Sequence, residues 1–158
     1  MSLEENKQVF LDVIERVINP GDLVAADELI DENFEIHRTG LHTTITLLSA
    51  GAEESDERQI SRLDAFKQGL GMMRAAFPDW RHEVQRDSLI AEGDLVAGRW
   101  KLEATHRGNF LGIEATGRHV VMDEAGIMRI VGGKMVEGWF IGDELGFVTA
   151  LDLVAIKR

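Results

Sequence analysis

The chain has 158 residues and a formal net charge of −11, and 44% of its residues are hydrophobic. This composition supports one domain over residues 1–158 and excludes general binding to nucleic acids or anionic membranes, since both need clustered positive charge. The absence of Cys excludes disulfides, thiolate zinc sites and cysteine nucleophiles. The acidic N-terminus has no long apolar run, so we expect a cytoplasmic protein without a membrane span.

The N-terminal third predicts two short helices and a strand. Ser2 and Glu5 match a capping box, and the apolar residues after them recur at helical spacing. Asn19-Pro20-Gly21 ends this first helix, and Asp22 can cap a second one. Residues 34–37 predict a short strand.

The middle of the chain is the hardest to interpret. Residues 43–48 have the β-branched character of a strand, and residues 49–57 predict an acidic loop or a lid over a pocket. An apolar stripe over residues 61–77 then predicts a longer helix, which Pro78 ends. Gly69 and Gly71 interrupt this stripe, and we interpret them as points where another element approaches closely.

The second half of the chain predicts an antiparallel sheet. Four strand-like runs follow one another, at residues 80–90, 95–106, 118–131 and 134–141. The Gly132-Gly133 pair supplies the positive backbone angles of a tight hairpin turn between the last two runs. Residues 143–153 predict a short closing helix.

This order of elements predicts the α+β fold class. We expect a curved, mostly antiparallel β-sheet wrapped around the N-terminal helices as a cone, with a pocket at its open end. The outer face of such a sheet needs cover, because long apolar strands are a liability in water. A homodimer through the sheet is the economical solution.

Several short motifs, taken in order, resemble the SnoaL-like polyketide cyclases of the nuclear-transport-factor-2-like (NTF2-like) superfamily. They are AFPDW (76–80), EGDLVA (92–97), THRG (105–108), FLGI (110–113), TGR (116–118), MRI (128–130), GKMVE (133–137), Trp139 and Asp143. The resemblance covers nearly the whole chain apart from residues 41–60. It implies an NTF2-like cone and an intramolecular aldol cyclisation that needs no cofactor.

The resemblance also implies positions for the catalytic groups. The family's cyclases use an Asp on the last strand and a His on the neighbouring strand. The matched motifs place these groups at Phe140 and Gly126, whose side chains cannot carry a proton. Two hypotheses follow: an acid–base enzyme with relocated groups, or a protein that binds a small hydrophobic molecule without transforming it. An epoxide hydrolase of the same fold is the least favoured hypothesis. Its chemistry needs an Asp–Arg–Asp group around a water molecule, and the motifs of this sequence do not supply that group.

Glu124 is the first candidate for a relocated acid or base. If positions 126 and 140 face inward, strand alternation also turns Met122, Glu124 and Met128 inward. A carboxyl group in that apolar wall should have a raised pKa through desolvation, which suits a general acid or base. The competing interpretation is that Glu124 pairs with a cation or lies near solvent.

Three further residues are candidates for proton transfer. His106 could be a shuttle at the mouth of the pocket, or it could only hydrogen-bond the Gly-rich turn after it. His37 matches a position where the family often has a polar residue near the pocket. Asp143 could replace the missing acid, or it could cap the closing helix. The other histidines, His42, His82 and His119, are expected at the surface or an interface.

The remaining candidates concern substrate binding. Arg99, within a basic group that also includes Lys101, Arg107 and Arg118, could stabilise an enolate, although exposed ion pairs are the commoner role. Met122, Met128, Phe140, Met73 and Trp80 are expected to line the pocket. No metal site is predicted, since no two His lie at ligand spacing on one helix. Nucleotide-binding and serine-nucleophile motifs are also absent from the sequence, so no cofactor is expected.

Overall fold

The computed structural model describes residues 1–38, 40 and 61–152. The strand and loop predicted within residues 43–57 lie outside this part of the chain, as do His42 and the predicted end of the closing helix at residue 153. Among the described residues, no helix is long and apolar enough to cross a membrane.

Four α-helices occur in the described residues: α1 (Leu3–Asp12), α2 (Leu23–Leu29), α3 (Arg62–Ala76) and α4 (Glu144–Ala150). The predicted capping box is confirmed, because the Ser2 and Glu5 side chains each accept a hydrogen bond from the other's backbone N–H. After α1 the chain widens into a π-helical segment, Val13–Ile18, which ends beside Asn19.

Within the described ranges, six strands form one sheet: β1 (Ile30–Arg38), β2 (Arg81–Glu83), β3 (Ile90–Glu92), β4 (Leu95–Thr105), β5 (His119–Val131) and β6 (Lys134–Gly142). Their order is β1-β6-β5-β4-β2, and β3 also pairs with β4. Of the pairings between these six strands, β1–β6 is parallel and the others are antiparallel. The predicted α+β class, the antiparallel β4–β5–β6 meander and its Gly132-Gly133 turn are thereby confirmed.

Two local predictions are wrong. The run at residues 80–90 is not one strand, because a 3-10 turn at Arg86–Ser88 separates β2 from β3. After this turn Leu89 enters the core against Gly98 of β4, where an added Cβ would lie 2.5 Å from Leu89 Cδ2. Gly69 and Gly71 do not permit a close approach either, since an added Cβ at each would meet nothing within 4 Å.

The helices cover one face of the sheet, and the core between them has two parts. The first joins α1 to the sheet, with the Phe10 and Trp100 rings 5.7 Å apart, and joins β1 to α3 through Phe34 and Phe66. The second surrounds Phe77. The inward residues of β4 recur at every second position: Val96, Trp100, Leu102 and Ala104 are all buried. The candidate site lies on this covered face.

Candidate functional site

Glu124 is a charged side chain in the interior, with 3% of its surface exposed. It lies on β5 directly opposite Trp100 of β4, whose indole N–H donates a hydrogen bond of 2.9 Å to Glu124 Oε2. The guanidinium of Arg38 donates to Oε1, and His82 Nε2 lies 3.2 Å from Oε2. We call these four residues the Glu124 cluster. Four different strands supply them, so the sheet as a whole assembles the site.

Arg38 reaches the cluster from the last residue of β1 and also holds the start of α4. Its Nη2 donates to Glu124, while its Nε donates to Glu144 Oε1 at 2.7 Å. Burial alone would lower the pKa of Arg38, but the two carboxylates raise it. The guanidinium is therefore a permanent cation that links the buried carboxylate to the closing helix.

The electrostatics of Glu124 reverse the direction expected from the sequence. Burial alone would raise the pKa of its carboxyl, but His82 and Arg38 together hold that pKa down to about 2. The prediction of a raised pKa is wrong because a cation reaches the site from β1, which is the competing interpretation considered for this residue. At neutral pH the carboxylate is a fixed negative charge that polarises its neighbours.

His82 is the residue that the negative charge most directly affects. Its imidazole lies between the indoles of Trp80 and Trp100, with ring centroids 5.8 and 6.0 Å away, and its side chain is 11% exposed. The contact with Glu124 is close but not aligned as a hydrogen bond, and neither ring nitrogen has a hydrogen-bond partner among the described residues. The ring therefore has the Glu124 carboxylate on its Nε2 side, while its Nδ1 has no partner in the part of the chain that the structure describes.

The backbone of His82 is held by a side chain from the helical layer. Asn19 Nδ2 donates to the His82 carbonyl at 3.0 Å, and the His82 N–H donates to Asn19 Oδ1 at 2.7 Å. Because β2 is an edge strand with one strand neighbour, Asn19 takes the place of the missing partner at this residue. The Asn-Pro-Gly helix end thus fixes the position of the imidazole.

The expectation that His82 lies at the surface or an interface is wrong. Alternation along β2 places it on the same face as Trp80 and Val84, and both flanking residues, Arg81 and Glu83, are exposed. This alternation is visible in the sequence, so it could have predicted that His82 faces inward. Arg38 was not predicted at the site because the predicted strand ended at residue 37, one residue too early.

Gly126 and Phe140 lie directly opposite each other on β5 and β6. An added Cβ at Gly126 would be 2.8 Å from Phe140 Cδ1, 2.8 Å from the Trp139 carbonyl and 2.9 Å from the Trp100 ring. A Cβ at Gly138 would meet the same Phe140 ring at 2.7 Å. The Phe140 ring therefore fills the space that these two glycines leave open.

His106 is fully buried next to Phe77 and Phe110. The backbone N–H of Thr116 donates to its Nδ1 at 3.3 Å, and the Thr116 hydroxyl lies 3.1 Å from the same nitrogen. Nδ1 is thus engaged by the turn, as one of the two interpretations expected. Its Nε2 has no hydrogen-bond partner among the described residues.

The structure does not bring the other predicted proton carriers to the cluster. His37 lies on the opposite face of the sheet from Arg38, stacked on Trp139 at 5.1 Å. Asp143 is exposed and caps α4, because its Oδ1 accepts from the Gly146 N–H at 3.0 Å. Its neighbour Glu144 reaches the cluster instead, through Arg38.

The predicted substrate-binding residues do not all lie on the same side of the sheet as the Glu124 cluster. Arg99 is exposed, and alternation along β4 places it on the face opposite to Trp100. Met122 and Met128 are both buried on the covered face, in the second and first parts of the core respectively. Met73 and Trp80 pack against the second part, and Phe140 packs against the first.

Three solved structures of similar proteins match along almost the whole chain. IdmH of Streptomyces antibioticus, described as a candidate polyketide cyclase, is 26% identical with a TM-score of 0.70, covering 93% of this chain and 98% of its own. A candidate polyketide cyclase of Acidithiobacillus ferrooxidans is also 26% identical, with a TM-score of 0.73 and coverage of 98% and 100%. AclR of Streptomyces galilaeus, described as a candidate hydroxylase, is 27% identical, with a TM-score of 0.72 and coverage of 99% and 91%.

The sequence comparisons gave one negative result and one match. No curated protein matches the chain significantly. The family model described as SnoaL-like polyketide cyclase matches residues 8–151, which is most of the chain. Together with the six-stranded curved sheet and the solved structures that share it, this match shows that the chain belongs to the SnoaL-like polyketide cyclase family.

Proposed function

We propose that this protein carries out cyclase-type acid–base chemistry on a small hydrophobic ketone, with His82 as the proton carrier and Glu124 as a fixed charge beside it. The observation that carries the proposal is the burial of the Glu124 carboxylate between Arg38, Trp100 and an imidazole with an unpartnered Nδ1. Perturbed ionisable groups gathered in this way are typical of active sites.

The proposed reaction uses an imidazole that lies beside a fixed carboxylate. His82 removes a proton from a carbon next to a carbonyl, and the resulting enolate carbon attacks a second carbonyl of the same molecule. A carbon–carbon bond forms, and the imidazolium returns its proton to the new alkoxide. No electrons are gained or lost, so the reaction needs no redox partner. Glu124 stabilises the imidazolium by charge, because at a pKa of about 2 it stays ionised throughout.

The substrate would have to lie beside the imidazole, next to the second part of the core. The Trp80 ring lies 5.8 Å from the His82 ring, Met73 and Trp80 both pack against this part of the core, and Met122 is the inward neighbour of Glu124 on β5. Methionine side chains adapt to ligands of irregular shape. We propose that the substrate lies against Met73, Trp80 and Met122, with its acidic carbon facing the imidazole.

The test uses a hydrophobic triketone that closes by an internal aldol reaction and loses water to give a bicyclic enone, followed by the absorbance of the enone. We expect the wild-type protein to accelerate closure, and we expect His82→Gln to lose roughly 100-fold or more of that acceleration. His119→Gln is the matched control, because His119 is an exposed imidazole whose ring contact is with Thr105. Wild-type rates in the His82→Gln protein would refute the assignment.

A specific observation favours the alternative of binding without turnover. The Phe140 ring occupies the space above Gly126, and the resemblance implies the family's catalytic pair at these two positions. In that case the triketone should raise the melting temperature of the wild-type protein while the rate of closure stays at the background level. The two measurements on one sample therefore distinguish an enzyme from a binding protein.

We also propose a homodimer through the uncovered face of the sheet. Ile90 and Ile141 are 73% and 77% exposed, and they flank Ile127, Ala125 and Ala97 on this face. In the proposed dimer this apolar patch packs against the same patch of a second copy, as in the two-fold interfaces of most homodimers. Sedimentation of the wild-type protein should give twice the chain mass, and Ile127→Lys should give a folded monomer. A wild-type protein that sediments as a monomer would contradict this.

A further inference from the structure

A second group of ionisable side chains lies on the face of the sheet opposite to Glu124. Glu35 and His37 on β1 and Glu137 on β6 each offer one ligand atom, and these three atoms lie within 4.8 Å of one another. His37 Nε2 is 2.8 Å from Glu137 Oε1. From this arrangement we propose that Glu35, His37 and Glu137 form a binding site for a divalent transition-metal ion.

The strand register explains why the three side chains converge. β1 and β6 run parallel, with Glu35 beside Glu137 and His37 beside Trp139. Glu35 and His37 are two residues apart and therefore share a face. Like charges directly opposite each other destabilise a sheet. Two facing carboxylates with an imidazole at their side would gain from a cation placed between them.

The site is also organised in advance. The His37 ring lies nearly parallel to the Trp139 indole, at 5.1 Å with an interplanar angle of 13°, which fixes its orientation. Arg129 Nε donates to Glu137 Oε2 at 3.2 Å and leaves Oε1 directed at His37. Arg129 is itself held by both oxygens of Asp94. Two of the three ligands thus need little rearrangement to bind an ion.

The ligand set selects the kind of ion. One imidazole nitrogen with two carboxylate oxygens suits Zn²⁺, Co²⁺, Ni²⁺ or Cu²⁺, whereas Mg²⁺ and Ca²⁺ prefer oxygen ligands alone. Three protein ligands leave a position for water. Arg62, which is 3.5 Å from Glu35 and largely exposed, can swing away as the ion enters. Arg129 opposes the charge of the ion, but its pairing with Asp94 offsets that repulsion.

The experiment uses metal-free protein, with Zn²⁺ titrated by calorimetry and Ni²⁺ titrated against tryptophan fluorescence. We expect one ion per chain and saturable quenching by Ni²⁺, since Trp139 is stacked on the ligand His37. His37→Ala and Glu35→Gln should each weaken binding at least about tenfold. Glu35→Gln leaves the contact between His37 and Glu137 intact, so its effect reports on the ion rather than on that contact.

His119→Gln is again the control, because it removes another exposed imidazole, on β5. Binding that is equally tight in the His37→Ala protein would place the ion elsewhere and overturn the proposal, as would the absence of saturable binding in the wild-type protein. The three ligands are half-exposed or exposed, so circular dichroism should confirm that the variants remain folded.

Discussion

The Glu124 cluster makes a quantitative prediction about stability as a function of pH. A carboxyl whose pKa falls from 4.5 in the unfolded chain to about 2 in the folded protein stabilises the fold at every pH above 4.5. That contribution is lost as the pH falls through the window between these two values. Replacing Glu124 by Gln keeps the shape of the side chain but removes the titrating group, so the variant should lack this part of the pH dependence.

The magnitude follows from the size of the shift. About 2.5 pKa units correspond to about 3 kcal/mol of stability at neutral pH, of which about 2 kcal/mol disappears between pH 5 and pH 3. At neutral pH, Glu124→Gln should destabilise the fold by a similar amount. The variant removes one of the two carboxylates that Arg38 contacts and leaves Glu144 as its partner, so the loss should lie at or below the roughly 3–5 kcal/mol typical of breaking a buried pair from one side.

The assay is urea unfolding of both proteins at a series of pH values between 3 and 7. The wild-type free energy of unfolding should fall by about 2 kcal/mol more than that of Glu124→Gln between pH 5 and pH 3. Asp123→Asn is the control, since Asp123 is exposed and its partner Lys101 is a surface cation. If the stability curves of the wild-type protein and Glu124→Gln run parallel throughout, Arg38 and His82 do not lower the pKa of this carboxyl, and the description of the Glu124 cluster is wrong.

Two further predictions concern the packing around the cluster. Gly126→Ala should destabilise the fold by about 1–3 kcal/mol in thermal or urea unfolding, because its methyl group would meet the fixed Trp139 carbonyl. Gly69→Ala is the matched control, since its methyl group would meet nothing within 4 Å, and it should be neutral or stabilise the fold by up to about 1 kcal/mol. Equal effects of the two changes would contradict the packing described at Gly126. Asn19→Ala should remove about 1–3 kcal/mol through its two hydrogen bonds to the His82 backbone, and should slow closure of the triketone more than Asn109→Ala, a change at an exposed asparagine.

The parts of the fold that depend on neighbouring residues were predictable. The capping box at Ser2, the glycine turn between β5 and β6 and the alternation along β4 each involve residues close together in the sequence. The interruption between β2 and β3 was not predictable in this way. It depends on Leu89 finding space against Gly98, and that contact exists only once β3 and β4 pair.

In the candidate site, too, the features that depend on sequence neighbours were predictable, and the features that depend on distant residues were not. Glu124 was identified from the alternation of β5, but the sign of its pKa shift depends on Arg38, which lies 86 residues earlier in the chain. Desolvation and ion pairing push this pKa in opposite directions, and only the sheet order decides which effect prevails. The proposed metal site was not predictable for a related reason. Ligand spacing along one helix is visible in a sequence, whereas His37 and Glu137 are 100 residues apart on paired strands.

The alternation of β5 places the buried charge of Glu124 close to the position that the family resemblance implies for a catalytic group. Gly126 and Glu124 are two residues apart on β5 and share its covered face, so their side-chain positions are separated by about 7 Å. The family resemblance implies a histidine at 126, where this chain has no side chain and the Phe140 ring fills the space. The imidazole that contacts Glu124 comes from β2 and not from β5. Arg38 and Trp100 each donate a hydrogen bond to one oxygen of this carboxylate, and these two bonds stabilise its charge in the core.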